Sequence, residues 1–483
     1  MSYSTRGQHR CGSGSPIRCQ GARLMKVVVL SGSPKGETSL TLQAIRFLQK
    51  KVPGPEITVF HIAPMIHTLE KNERRLGEII DAVKAADGVI WAFPVYYFLV
   101  PSQYKRFIEL IWERKHDEAF RGKYAITLST SVHFHDHCAH DYMNAICDDL
   151  EMRYVGSFSA DSHDLLKASE RERLLLFGRN FFDAIDKQLP TMKTFQPLQA
   201  NALQYVPGAL GGCVATEGKR VVILTDSDDP SSNQGKMVHR VRSTFSPEAE
   251  VISLATVDIT GGCLGCLECG YDGTCRYKGK DELVALINDR VLTADVLVFA
   301  GTIVDRFLSS RWKLYLDRCF FRNHMPYLGG KQVALLISGP LRQIPNLRQI
   351  FDAYAEYQEG NLVGTVTDEG EDSASLDALL SSLATKLVER SKQRYLKPRT
   401  FLGIGGLKVL RDEIFGRLRS IFWADHKYFA KHGMYDFPQK NYGIRIFNLI
   451  VLLALRIPYL RRAFQKRIGA ILLQPVLKAV DKA

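Results

Sequence analysis

Four thiols, Cys263, Cys266, Cys269 and Cys275, fall within thirteen residues at the spacing C-x2-C-x2-C-x5-C. Two-residue gaps let successive thiolates turn into one small concavity, and Gly265, Gly270 and Gly273 let the backbone fold closely around its contents. The set suits a cubane [4Fe-4S] cluster held by four cysteines. Zinc competes for the same donors, although four-cysteine zinc sites more often come as two C-x2-C pairs a dozen or more residues apart. Free thiols left from a lost site are the third reading. A second concentration of chemistry is the stretch from Thr130 to His140, where His133, His135, His137 and His140 make up four of the thirteen histidines, with Asp136 among them. The alternation of His133, His135 and His137 reads as an extended loop. Contacts to a bound cofactor or substrate with proton supply, metal binding, and ordinary loop polarity all fit it.

The elements that must position these groups are legible as strands alternating with helices. Met25 to Leu30 is a short β-branched run of the kind buried in a parallel sheet. It ends in Ser31-Gly-Ser33-Pro-Lys35-Gly-Glu-Thr38-Ser39 and enters a helical pattern at Leu40. This loop has neither G-x-x-x-x-G-K-[ST] nor G-x-G-x-x-G, which argues against nucleoside triphosphates and dinucleotides. Its small polar residues and helix N-terminus suit a monophosphate such as that of FMN. A helix over about 72 to 86 follows, then a strand from Gly88 ending in Phe93-Pro94-Val95-Tyr96-Tyr97 and a helix over 99 to 112. Strands at 122 to 129 and near 154 to 158, and a helix over 170 to 187, complete a doubly wound α/β unit with its ligand at the strand carboxyl ends.

After a Pro- and Gly-containing linker, residues 189 to 218, the pattern repeats. Val27 to Leu30 matches Val221 to Leu224 at an offset of 194. Ala92, Lys105, Gly122-Lys123 and Val155-Gly156 match Ala300, Lys313, Gly330-Lys331 and Val363-Gly364 at an offset of 208. The difference of 14 residues arises where the second copy carries its cysteine loop. A constant offset over several elements indicates a tandem duplication, with units over 25 to 188 and 219 to 390.

The loop at 31 to 35, the Phe93-Pro-Val-Tyr96 segment followed by Pro101 and a helix, and the cysteine motif at 263 to 275 resemble the NAD(P)H-dependent FMN reductases and iron-sulfur flavoproteins. The resemblance covers about residues 25 to 385 and implies two flavodoxin-like domains forming an internal pseudo-dimer. It implies that Ser31, Ser33, Lys35, Thr38 and Ser39 hold the FMN phosphate, while Phe93, Pro94, Val95, Tyr96, Tyr97, Thr130 and Ser131 flank the flavin. Tyr96, Tyr97 and His133 stand at its reacting end. The second copy has Thr225-Asp-Ser-Asp-Asp-Pro-Ser-Ser-Asn233 in place of the phosphate loop, and its aspartates would repel a phosphate. FMN is therefore expected in the first half, with Cys263, Cys266, Cys269 and Cys275 on the cluster. The implied activity passes electrons from NAD(P)H or a reduced ferredoxin to a small organic acceptor such as a quinone, enone or nitro compound. A redox or oxygen sensor, or an electron carrier using the same groups, is the rival reading.

Net charge is +13, but residues 391 to 483 alone hold 19 Lys and Arg against 5 acidic residues, so the body is close to neutral. The basic character belongs to this mainly helical C-terminal region and is weak evidence for nucleic acid, which is not expected as a partner. Ile444 to Leu455 is nearly all apolar yet too short to span a bilayer. Beyond it, Arg456, Arg461, Arg462, Lys466 and Arg467 alternate with Ile457, Leu460, Phe464, Ile468, Ile471 and Leu472. That pattern suits a basic amphipathic helix on an anionic membrane, with Phe422, Trp423, Tyr428 and Phe429 at the same level, or a helix packed on the body or on a second copy in a homodimer. Residues 1 to 24 carry four arginines and no apolar run, so they read as a disordered leader rather than a secretion signal. A cytoplasmic location, with peripheral contact at the inner face of a membrane, fits these features and a reducing environment for the ten cysteines.

Overall fold

Runs of β-branched residues form two five-stranded parallel sheets in the structure, a computed structural model that describes residues 24–322, 324–436 and 442–481. All of the leader except Leu24 lies outside the described residues. In the first half, β1 (Lys26–Ser31) lies between β2 (Glu56–His61) and β3 (Gly88–Pro94), followed by β4 (Tyr124–Ser131) and β5 (Arg153–Asp161), in the order 2-1-3-4-5. In the second half, two-residue strands β6 (Val214–Ala215) and β8 (Phe245–Ser246) pair with one another. The main sheet there uses β7 (Val221–Thr225), β9 (Glu250–Ser253), β10 (Val296–Thr302), β11 (Gln332–Ser338) and β12 (Asn361–Thr367), in the matching order 9-7-10-11-12. This is the doubly wound order whose switch point lies between the first and third strands of each unit. The sequence reading missed β2 and the helix Ile62–Lys71, because Glu56–His61 is half-exposed and lacks a continuous apolar run.

The two halves share one hydrophobic core, which takes in Val28, Trp91 and Tyr104 of the first and Val222, Phe299 and Trp312 of the second. Two helices, Ser102–Glu113 and Ser310–Arg318, carry the junction in a pseudo-symmetric exchange. Asp317 Oδ2 accepts from Ser102 N at 2.7 Å, and Glu109 Oε1 accepts from Ser310 N at 2.6 Å, so each helix N-terminus is capped by a carboxylate from the other. Ser102 and Ser310, Lys105 and Lys313, and Glu109 and Asp317 are each separated by the repeat offset of 208. The tandem duplication is thus folded as a dimer within one chain.

Two readings are corrected. The histidine stretch is not extended throughout, since a helix spans Asp136–Asp149 and His137 and His140 lie on it. The helix follows His135, which is in the left-handed region, and within its first turn Asp136 Oδ1 accepts from His137 N at 3.0 Å. The C-terminal region does not separate as a whole at 391. The chain up to His426 belongs to the unit that holds both sheets, and Lys427–Ala483 is a second unit. Glu356 Oε2 accepts from Thr400 N and Gly403 N at the start of the helix Phe401–Phe415, fixing that helix to the body. Phe422 is buried against Phe320 and His324, so it is not a membrane-level residue. In the second unit, helices span Tyr442–Ala454 and Pro458–Val480. The latter segregates its character lengthwise rather than around the axis: Arg461, Arg462, Lys466 and Arg467 lie in its first half and none of its second half before Lys478 is charged.

Candidate functional site

β1 ends on Ser31, whose hydroxyl is buried and has no hydrogen-bond partner. Gly32 follows because any Cβ there would overlap the Tyr104 ring. Ser33 is buried and its Oγ accepts from Lys35 N at 3.3 Å, while Thr38 Oγ1 donates to Lys35 O at 2.9 Å, closing a tight turn. Ser39 caps the helix Leu40–Lys51 by accepting from Leu42 N. The result is a polar loop at a helix N-terminus with an unspent buried hydroxyl, which fits a phosphate. Thr41 Oγ1 and Thr130 Oγ1, 2.6 Å apart, hold this helix against the end of β4.

The Pro-aromatic loop rises beside it. Val95 N donates to Thr130 O at 3.1 Å, and Tyr96 and Leu99 exchange backbone bonds of 2.8 and 3.0 Å around Tyr97 and Phe98, both at positive φ. Two non-glycine residues in the left-handed region are a strained arrangement of the kind found at ligand sites. Phe93 turns its ring into the core against Tyr104 and His140, so only its backbone lies at the loop. Tyr97 packs edge-on against Phe320 and Tyr354 of the second half.

Tyr96 points the other way and meets the cysteine loop. A Cβ on Gly265, which has φ +61°, would overlap Tyr96 Oη and come within 3.4 Å of Lys35 Cε. Gln103 Nε2 donates to Cys263 O at 3.0 Å, and Lys313 Nζ donates to Tyr96 O at 2.8 Å. Burial pushes the Tyr96 phenol well above its usual range, reinforced by Cys263 and Asp317. The cysteine loop of the second half therefore sits on the phosphate and aromatic loops of the first.

Cys263, Cys266, Cys269 and Cys275 line a single cavity with Arg276, Tyr277, Arg318 and Phe320. Cys269 is buried and Cys266 exposed. Gly265 N lies 3.5 Å from Cys263 Sγ, a donor to that sulfur. Burial raises the Cys263 thiol to about 12 and raises Cys269 too, so both are protonated until a metal displaces the proton. Arg318 donates to Gly261 O and to Asp281, both at 2.8 Å, and its guanidinium lies over the Tyr277 ring. Four cysteines lining one cavity with an amide donor and two arginines fit a thiolate-bound cluster.

On the far rim, Ser131 Oγ accepts from His133 N at 2.9 Å, and His133 Nδ1 pairs with Asp136 Oδ2 at 2.9 Å. His140 is placed elsewhere: its ring nitrogens face Thr127 Oγ1 and Ser129 Oγ at 2.9 and 2.8 Å inside the core. Burial lowers both His135 and His140 to about 4, so both are neutral near pH 7. The sequence reading missed the buried Lys105–Glu109 and Lys313–Asp317 pairs that seat the two halves. Their signal was present, a Lys followed four residues later by an acid in each copy at the 208 offset.

The sequence model of the NADPH-dependent FMN reductase family matches residues 25–164 and again 219–361, more than half of the chain. The chain belongs to that family. It is a tandem FMN reductase and an NAD(P)H-dependent flavin oxidoreductase, with FMN and NAD(P)H as its cofactors. Solved structures similar to it include an apo NADH:FMN oxidoreductase, 20% identical over 35% of this chain and 91% of that one, with a TM-score of 0.28. The NAD(P)H:(acceptor) oxidoreductase FerB of Paracoccus denitrificans is 20% identical over 34% of this chain and 98% of its own, TM-score 0.29. General stress protein 14 of Treponema denticola, solved with FMN, is 9% identical over 34% and 99%, TM-score 0.25. No curated protein matches the chain.

Proposed function

We propose that this tandem FMN reductase binds one FMN in its first half, holds an iron-sulfur cluster in the cysteine loop of its second half, and reduces a small organic acceptor such as a quinone, enone or nitro compound. The reading is supported above all by Gly265 seated on Tyr96 and Lys35, which joins the four-cysteine cavity to the phosphate and aromatic loops. When bound, FMN takes a hydride from the nicotinamide and a four-thiolate cluster exchanges single electrons. In this reading Ser31, Ser33, Lys35, Thr38 and Ser39 hold the phosphate. Pro94, Val95, Tyr96, Thr130 and Ser131 wall the ring, and Tyr97 fixes the loop by packing on the second half. His133, oriented by Asp136, keeps Nε2 free to pass a proton to an acceptor at the exposed rim.

The test is a count of iron and flavin on anaerobically prepared full-length protein. About four irons per chain with broad absorption near roughly 400 nm are expected, together with a flavin that NAD(P)H bleaches and an acceptor restores. Zinc without iron overturns the cluster and leaves the flavin reading standing. A flavin that only a reduced ferredoxin can bleach overturns the nicotinamide as donor.

For the second unit we infer contact with an anionic membrane surface. Among the described residues no helix is long and apolar enough to cross a membrane. Yet Ile444, Ile446, Phe447, Leu449, Ile450, Leu452 and Leu453 of the helix Tyr442–Ala454 are all more than half exposed. Arg456, Arg461, Arg462, Lys466 and Arg467 follow at once, which suits apolar burial below a layer of anionic headgroups. Full-length protein should float with anionic vesicles at low salt, and Phe447→Asp with Ile450→Asp should abolish this. A salt-independent dimer that ignores vesicles would assign the same face to a second copy.

A further inference from the structure

The four histidines at 133 to 140 separate by partner. Both ring nitrogens of His140 are spent on Thr127 and Ser129, and His133 is held by Asp136. His135 and His137 remain, and they flank Cys138: donor atoms from His135, His137 and Cys138 all lie within 4.8 Å of one another. His137 Nε2 is 3.4 Å from Cys138 Sγ. Around a tetrahedral zinc ion, metal–nitrogen and metal–sulfur bonds of about 2.0 and 2.3 Å place such a pair about 3.5 Å apart. His135 Nε2 lies 3.2 Å from Leu402 O, so a proton on that nitrogen is held by a carbonyl and Nδ1 is left for a ligand bond. A backbone carbonyl fixing the tautomer of a ligating imidazole is the usual support for such sites. Asn346 Nδ2 donates to Cys138 O at 3.0 Å and fixes the backbone at the thiol from the second half. His137 is exposed and gives an ion a way in, while His135 and Cys138 are buried.

We propose that His135, His137 and Cys138 form a second metal site, of the zinc class, with three protein ligands and a fourth position open to solvent. Two imidazoles and a thiolate select a borderline-soft ion over magnesium or calcium, which take oxygen ligands. Binding releases the Cys138 proton to solvent and leaves every oxidation state unchanged. An open fourth position is the pattern of zinc sites that bind a water or a substrate atom. The site does not rest on the cluster reading, because its donors are separate from the four cysteines at 263 to 275.

The test titrates Co2+ into full-length protein already loaded with FMN and iron, and follows visible absorption. One equivalent should give the ligand-field bands of a tetrahedral site and a thiolate-to-cobalt band, and Zn2+ should displace both. His137→Ala, a change at an exposed residue that leaves the core intact, should weaken binding by at least about tenfold. Cys138→Ser should remove the thiolate band. The Cys266→Ser protein should keep the signal. Loss in Cys266→Ser with retention in His137→Ala would place cobalt in the four-cysteine cavity and overturn the proposal, as would the absence of tetrahedral bands in the loaded protein.

Discussion

The two copies share a fold and diverge at the ends of their first strands. In the first half, Ser31 keeps a buried hydroxyl without a partner. In the second, the corresponding Thr225 Oγ1 accepts from Gln234 Nε2 at 2.8 Å, and the next residue, Asp226, takes Gln234 at 3.1 Å and the Ser309 hydroxyl. Gln234 also accepts from Thr302 at 2.6 Å, so donors that could meet a phosphate are bonded within the chain. The linker adds to this. Gln199 and Gln343 exchange bonds of 2.9 and 3.0 Å, Asn201 donates to Asp368, and Asn233 donates to Leu203 O. Gln343 stands 208 residues after His135, so the linker meets the edge of the second sheet that corresponds to the histidine stretch. One copy keeps its polar groups open to a ligand and the other has closed them on itself.

The junction helices differ in the same sense, and that difference can be broken by mutation. Lys105 is buried between two carboxylates, Glu109 at 2.9 Å and Asp305 at 3.0 Å, and their attraction outweighs burial and raises its pKa. Lys313 is equally buried but has Asp317 and the Tyr96 carbonyl, and burial lowers it. Asp317→Asn therefore strips Lys313 of its carboxylate and frees the Ser102 end of a helix, which should cost about 3–5 kcal/mol. Glu109→Gln leaves Lys105 with Asp305 and should cost about 1–3 kcal/mol. Urea unfolding of the two variants measures the gap, and equal losses would show that the two sides of the junction are equivalent.

The phosphate loops give the next largest contrast. Ser33→Asp puts a charge in the open loop and should weaken FMN binding by about 100-fold, since like charge and lost donors act together. Ser227→Asp in the second copy should change it less than about twofold. Flavin fluorescence titration reads both, and two equivalents of FMN per chain, one lost in Ser227→Asp, would mean that the closed copy opens to bind.

Much of this was legible because strands and their repeat are written in local composition. The buried β1 and β3 carry unbroken apolar runs, and the 208 offset of the duplication is kept through Ser102, Lys105 and Glu109 and their counterparts at the shared junction. The cysteine cavity was legible from spacing alone. What was not legible depends on distant partners. His140 looked like its neighbours in sequence, yet it fills the core because Thr127 and Ser129 face it from β4. Tyr96 and Tyr97 are adjacent and alike, but positive φ turns one toward the cysteine loop and the other into the junction. Residues 401 to 426 read as part of a basic tail, since nothing local announces that Glu356 and Gly270 receive them.

The contact between copies at Gly265 should be separable from either alone. Gly265→Ala requires a positive φ in an alanine and an overlap with Tyr96 Oη, and should cost about 1–3 kcal/mol together with part of the iron. Tyr96→Phe removes that oxygen, leaving the ring carbon at 3.3 Å as the nearest atom, so the double variant should recover about half of the loss. Iron content and thermal midpoint of the four proteins complete the cycle. Strict additivity would mean that the loops do not meet.

The smallest effect concerns Asp161 at the end of β5 and its counterpart Glu369 after β12, again 208 residues apart. Glu369 accepts from Arg342 N within its own copy at 3.0 Å, whereas Asp161 accepts from Arg417 of the C-terminal segment at 2.6 Å. The Arg417 hydrogen bonds hold the Asp161 carboxyl at about 2, below the value of about 3.9 expected for an unfolded chain. A carboxylate with a depressed folded pKa adds stability that is complete above the unfolded value and is lost as pH falls toward the folded one. The Asp161 contribution should therefore be constant at neutral pH and fade between about pH 4 and pH 2. Arg417→Gln should remove that part of the acid dependence and lower stability slightly at pH 7, by about 1 kcal/mol or less, since the pair is partly exposed and screened. Carboxyl titration followed by NMR reads the Asp161 value directly. If it stays near 3.9 in the folded protein, the first copy makes no more of this position than the second does, and the C-terminal segment is held by Glu356 instead.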